Sequence, residues 1–134
     1  MKVAITGGGT GGHIYPGLAV AQRLQKMGHS AFWFGRNKGL EKKLVTAVPL
    51  RVISARPLRA KGFFQQILAF AALGRGIWDS VGHLRRLRPD VLLSFGGYVS
   101  VAPAIASALL GIPVVCFEQN TRIGLANRLI AKLA

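Results

Sequence analysis

Thr6-Gly7-Gly8-Gly9-Thr10-Gly11-Gly12-His13 follows the apolar run Val3-Ala4-Ile5 and leads into Pro16-Gly17-Leu18-Ala19-Val20-Ala21. In that order the residues predict a β-strand, a glycine loop and an α-helix. Glycine accepts positive φ and lets a ligand approach the main chain, and proline suits a first helical turn, where its missing N–H would be unpaired. The free N–H groups of the loop and the helix N-terminus then point at one place. Such a place attracts an anion, usually a phosphate or pyrophosphate.

Gly7, Gly9 and Gly12 satisfy G-x-G-x-x-G, so a dinucleotide site is the first reading to test. That site wants an acid about 20 residues on, at the end of the second strand, to hold the ribose hydroxyls. The predicted second strand, Ala31-Phe32-Trp33-Phe34, ends instead at Gly35-Arg36. Arg36 leaves a 2′-phosphate version open. A tight turn without a ligand is the bland alternative, but five glycines in six residues exceed what turning requires.

The 134 residues are 51% hydrophobic, enough to bury the core of a single domain, 1–134. Lys2 and a short apolar run do not make a signal peptide, and Cys116 lies in the apolar run Pro113–Phe117, where a small buried hydrophobe is expected. A cytoplasmic protein is the expectation. Eighteen Lys and Arg stand against four acids, Glu41, Asp79, Asp90 and Glu118, for a net charge of +14. The partner should be anionic: nucleic acid, anionic lipid or a phosphorylated substrate. Residues 51–88 carry eight of the basic side chains against one acid, Asp79.

Along the chain, a helix is expected from Pro16 to Met27 with Leu18, Ala21, Gln22 and Leu24 inward and Gly28 as its C-cap. A short helix or turn follows at Leu40–Val45, then a third strand at Leu50–Ile53, a basic loop at Arg56–Gly62 and a long helix from Phe63 to Leu87. Val91–Phe95 predicts a strand buried on both faces. No charge appears from Val91 to Phe117, a span long enough to cross a membrane, but Gly96-Gly97, Pro103, Gly111 and Pro113 divide it into strand, loop, helix and strand. Strands alternating with helices predict an α/β, Rossmann-like parallel sheet with helices on both faces.

Ligands of such sheets bind beyond the carboxyl ends of the strands. Three post-strand loops stand out: Gly7–His13, Gly96-Gly97-Tyr98-Val99-Ser100, and Glu118-Gln119-Asn120, which holds the only acid of the last 44 residues. All three should converge on one rim. In order and spacing they resemble the N-terminal half of the MurG family, bacterial glycosyltransferases that move N-acetylglucosamine from UDP-N-acetylglucosamine to undecaprenyl-pyrophosphoryl-N-acetylmuramoyl-pentapeptide in peptidoglycan synthesis. The resemblance covers essentially the whole chain.

The resemblance implies a GT-B fold of two Rossmann-like domains, with this chain as the acceptor-binding one and a C-terminal donor-binding domain beyond it. It implies that Thr10, Gly11, Gly12 and Asn120 touch the donor across the cleft, that Tyr98, Ser100 and Asn127 bind substrate, and that His13, Tyr98 and Glu118 serve acceptor binding or catalysis. It implies a peripheral location on the cytoplasmic face of the inner membrane, no cofactor and no nucleic-acid partner. A two-chain lipid-linked N-acetylglucosamine transferase would share this fold, and a basic RNA-binding module is suggested by charge alone, without an aromatic-interleaved basic motif.

The residue types suit the chemistry. Inverting transfer needs a base for the attacking hydroxyl and stabilisation of the departing diphosphate. His13, at a helix N-terminus that favours the neutral ring, can take a proton; Glu118 can instead be the base, or can orient His13, and both can be purely structural. No Asp-x-Asp and no His/Cys cluster offers metal ligands. In the long helix, Phe63, Ile67, Phe70, Ile77, Val81 and Leu84 are expected to face the core. Phe64, Leu68, Ala72 and Trp78 form a further apolar stripe which, flanked by Arg59, Lys61 and Arg75, suits contact with anionic lipid. Leu125, Leu129, Ile130 and Leu133 mark one face of a last helix that ends without a cap, as a cut chain would.

Overall fold

The computed structural model describes residues 1–57 and 61–134. Five strands, β1 (Lys2–Thr6), β2 (Ser30–Gly35), β3 (Leu50–Val52), β4 (Val91–Ser94) and β5 (Val114–Cys116), form one sheet in the order β3-β2-β1-β4-β5. Every pairing is parallel. Thr6 lies opposite Phe34 on one side and Ser94 on the other, and Ser94 is opposite Cys116. The carboxyl ends are therefore level, and the loops that leave them share one rim.

Successive strand residues point to opposite faces, and both faces are covered. Ala4, Phe34, Leu92 and Val114 pack with Leu84 of α3 (Phe63–Leu87), Val101 and Ala104 of α4 (Val101–Leu109) and Ile130 of α5 (Leu125–Ala131). Val3, Ile5, Ala31 and Trp33 pack on the other face with Ile14 and Ala21 of α1 (Gly11–Lys26) and with Val45 and Val48 around α2 (Gly39–Leu44). The strands read as almost continuously apolar for that reason. Among the described residues no helix is long and apolar enough to cross a membrane.

Two expectations are corrected. Helix α1 begins at Gly11, five residues before the expected Pro16, which leaves the proline inside the helix. Proline cannot donate to the carbonyl four residues back, so the Gly12 carbonyl has no helical partner. Gln119 takes that role, its Nε2 donating to the Gly12 oxygen at 2.6 Å. Gln22, expected inward, is exposed.

The second correction concerns α3, whose buried line runs through Ala69, Gly76, Ser80 and Leu84. Gly76 lies so close to the Ser54 carbonyl that a Cβ there would overlap it, and Ala102 of α4 is 3.0 Å from that same Cβ position. Leu73, Ile77 and Val81 pack beside the line. Phe63, Ile67 and Phe70, expected in the core, are instead exposed, with Phe63 at 80% and Phe70 at 72%. Helix α4 lies against the second half of α3, whereas Phe70 in the first half borders an open groove whose other wall is α5 with Val101 and Ile105 of α4.

Candidate functional site

The strand order reverses between β1 and β4, and the loops leaving these two strands diverge around a crevice at the carboxyl ends, where open parallel sheets bind ligands. The loops are bonded to each other: the Gly8 N–H donates to the Gly96 carbonyl at 3.3 Å. Gly97, at φ +85°, faces the Gly8 carbonyl so closely that a Cβ would overlap it. Gly9, at φ +87°, lies against the Tyr98 ring, 3.0 Å from where its Cβ would be. Glycine at these two places is a matter of room as well as of dihedral angle.

His13, half-buried in the first turn of α1, is set edge-on to this seam. Its Nδ1 is 3.0 Å from the Thr10 hydroxyl, and its ring stands beside Gly96 and Gly97. Among the described residues Nε2 has no protein partner. A cavity of about 430 Å³ opens beside it, bordered by His13, Tyr98, Glu118, Asn120, Arg122 and Asn127. The Gly11 and Gly12 N–H groups begin α1 with no side-chain cap, so the positive end of a 16-residue helix is open at the same rim.

Glu118 follows β5 and is held by three donors. The Asn120 N–H donates at 3.0 Å, the Gly124 N–H at 3.3 Å and the Asn127 Nδ2 at 2.8 Å. Burial pushes its carboxyl up, but these hydrogen bonds together outweigh burial and hold it below the usual carboxylate range. Asn127 is buried and also donates to the Phe117 carbonyl at 3.3 Å, and among the described residues its Oδ1 has no partner. It therefore joins α5 to the β5 loop.

The placement of the other expected residues is uneven. Thr10, Gly11, Gly12, Tyr98 and Asn120 lie on the rim with His13 and Glu118. Ser100 does not reach the cleft: it is fully buried, and its hydroxyl donates to the Gly96 carbonyl at 2.8 Å, which shapes the second glycine loop from beneath. On α3, Phe64 and Trp78 are 69% and 77% exposed, whereas Leu68 is half-buried in the wall of a separate cavity that Arg75 also lines. Lys61 is exposed, and Arg59 lies outside the described residues. Cys116 is half-buried, and its burial, with Glu118 nearby, pushes the thiol up and away from reactivity.

Glu41, which the sequence left without a role, and Arg36, which it left open to a 2′-phosphate, turn out to support both glycine loops. Glu41 is wholly buried, pairs with Arg36 through Nε and Nη2 at 3.2 and 3.1 Å, and accepts the Gly9 N–H at 3.3 Å. The Arg36 guanidinium lies 5.1 Å from the Tyr98 ring centroid. Burial, against the opposing field of this guanidinium, keeps the Tyr98 hydroxyl protonated beyond its ordinary range. Arg36 is thus committed to Glu41 and Tyr98, and the Gly9 N–H is not free for an anion. Only the five-residue spacing of a cation and an acid hinted at the pair. Among the described residues no group of three His, Cys, Asp or Glu could hold a metal ion.

A parallel sheet in this order, with two interlocked glycine loops and an open helix N-terminus at its switch point, defines a Rossmann-like domain, a class that binds its ligands at this switch point. Comparison with known proteins narrows the class. Residues 3–134 match the glycosyltransferase family 28 N-terminal domain, and the chain belongs to that family. It is 46% identical over 134 residues to the UDP-N-acetylglucosamine--N-acetylmuramyl-(pentapeptide) pyrophosphoryl-undecaprenol N-acetylglucosamine transferase of Tolumonas auensis, and 43% over 132 residues to that of Cupriavidus metallidurans. These alignments cover 98% and 97% of this chain and 38% and 37% of the relatives, so the chain spans little more than a third of their length. The crystal structure of MurG from Acinetobacter baumannii superposes with a TM-score of 0.87 at 32% identity, over 99% of this chain and 39% of that one. A UDP-GlcNAc 2-epimerase from Neisseria meningitidis, at 18% identity and a TM-score of 0.69 over 100% of this chain and 39% of that one, shares the fold.

Proposed function

We propose that this chain is the acceptor-binding half of an inverting transferase that moves N-acetylglucosamine from UDP-N-acetylglucosamine to an N-acetylmuramoyl-pentapeptide carried on pyrophosphoryl-undecaprenol. The observation that carries the reading is His13. With the proton on Nδ1 donated to the Thr10 hydroxyl, the Nε2 lone pair is left free on a residue that lines the cleft. Nε2 takes the proton of the acceptor hydroxyl as its oxygen attacks the anomeric carbon, and the bond from that carbon to the diphosphate breaks on the opposite side. Charge gathering on the departing UDP meets the open N-terminus of α1 at Gly11 and Gly12. Glu118, already satisfied by three donors, shapes the loop that carries Asn120 instead of taking the proton.

The remainder of the donor site belongs, in this reading, to a C-terminal donor-binding domain. Fusion to the matching second domain of the Tolumonas auensis relative is therefore the context for the test. His13→Ala should lower transfer about 10²–10⁴-fold while the circular dichroism and melting of the fusion stay unchanged. Wild-type turnover in that variant would remove His13 from the chemistry.

A second observation concerns place. Phe63, Phe64, Ile67, Phe70 and Trp78 cover one exposed arc of α3, beside Lys61 and Arg75. Such a surface suits an anionic membrane, and with an undecaprenyl-linked acceptor it supports peripheral attachment at the cytoplasmic face of the inner membrane.

A further inference from the structure

A second cavity of about 520 Å³ lies next to the cleft, beyond the carboxyl ends of β2 and β3. Tyr98 and Pro57 line the first, while Arg36, stacked on Tyr98, and Arg56, adjacent to Pro57, line the second. The two cavities are neighbours across the Tyr98–Arg36 stack. Lys38, Arg56 and Arg75 join Arg36 in the wall, and Leu68 and Ala72 of α3 make an apolar floor. Two of the four acids already pair with cations of this wall, Glu41 with Arg36 and Asp79 with Arg75. Lys38 and Arg56 are exposed and have no acidic partner among the described residues.

We propose that this cationic cavity binds the diphosphate of the polyprenyl-linked acceptor, an inference that rests on the transferase reading above. The reaction involves two diphosphates, that of the departing nucleotide and that of the acceptor. The rim offers two separate features for them. One is the open N-terminus of α1 beside His13; the other is this cavity. The first glycine loop cannot serve both, because the Gly9 N–H is held by Glu41 and the Gly8 carbonyl is turned onto Gly97. Guanidinium groups match phosphate oxygens in pairs, and a lysine adds a mobile point charge. The cavity also lies on the route the substrate must take. An acceptor sugar at His13 would pass across Tyr98, place its diphosphate between Lys38 and Arg56, and send its prenyl chain along Leu68 to the exposed Phe64.

The test titrates the isotope-labelled chain with farnesyl diphosphate, a soluble prenyl diphosphate, and follows backbone amide shifts. The expected result is movement at Lys38 and Ser54–Arg56, with Lys38→Ala/Arg56→Ala weakening binding at least roughly tenfold, since removing a single charge-assisted hydrogen bond to phosphate weakens binding by about that factor. Arg23→Ala/Lys26→Ala, which removes equal charge from the far end of α1, should leave binding within about twofold once salt screens long-range attraction. Movement confined to Gly11 and Gly12, with undiminished affinity in Lys38→Ala/Arg56→Ala, would overturn the proposal. So would equal displacement of the probe by phosphatidylglycerol vesicles at matched phosphate concentration, which would make the cavity a headgroup site. Neither result depends on His13, so the transferase reading stands or falls separately in the fusion assay.

Discussion

The first half of α3 is the more apolar in sequence, yet it is the second half that packs into the core. From Gly76 to Leu84 the helix lies against α4 and the sheet, close enough that Gly76 has no room for a side chain toward Ser54 and Ala102. From Phe63 to Phe70 it presents aromatic rings to solvent, and Ala69, Phe70 and Leu73 face Leu125, Leu129 and Leu133 of α5 across an open groove that Val101 and Ile105 of α4 also line. Hydrophobicity alone therefore does not place a residue in a core. An apolar surface becomes core or contact face according to what the topology puts opposite it.

The comparison can be broken most easily by truncation. Leu84→Ala should cost about 2–5 kcal/mol in urea unfolding, as buried leucines do, whereas Phe70→Ala should stay within roughly 0.5 kcal/mol. A comparable loss at Phe70 would mean that the first half of the helix is packed after all. Gly76→Val should cost about 1–3 kcal/mol through overpacking against the Ser54 carbonyl. Gly74→Val, at a position with nothing within 4 Å, should be neutral or slightly stabilising, within about 0.5 kcal/mol, because valine is the better helix former of the two.

Vesicles sharpen the same contrast. Phe64→Ser/Trp78→Ser should reduce partitioning onto phosphatidylglycerol vesicles about tenfold with unchanged melting, because both rings are exposed and neither supports the core. Equal loss from removing Arg85 and Arg86, at the packed end of the helix, would assign the attraction to charge alone.

The smallest effect is expected at the tether of α5. Glu118 holds Asn127 at 2.8 Å, and its carboxyl is depressed below the usual range. A depressed folded value means that the contribution is complete above the unfolded carboxylate value of about 4.3 and is lost as pH falls through the lower folded one. The Asn120 and Gly124 amide shifts should therefore titrate below the ordinary glutamate range, and Glu118→Gln should abolish that step. A normal midpoint would show that the three hydrogen bonds do not persist in solution.

Much of the rim was legible in the primary structure because each piece is local. A strand followed by glycines and a helix specifies a loop at a carboxyl end, and three such loops in one parallel sheet must emerge together. Gln119 and Glu41 were not legible in the same way. Their partners, the Gly12 carbonyl and the Gly9 N–H, are 107 and 32 residues away. Ser100 was assigned to substrate because its loop is, yet one turn of 3-10 helix (Tyr98–Ser100) carries its hydroxyl under the loop to Gly96.

By itself the sequence determined the parallel α/β sheet, the convergence of Gly7–His13, Gly96–Ser100 and Glu118–Asn120 on one edge, and a basic surface in need of an anion. Periodicity and turn chemistry act over a few residues and carry that much. Only the tertiary structure decided which stripe of α3 is buried, that Arg36 is spent on Glu41 and Tyr98, and that Lys38 and Arg56 come together beside the cleft. Those outcomes depend on distances between elements far apart in the chain, which packing of the whole sheet sets and no local pattern encodes.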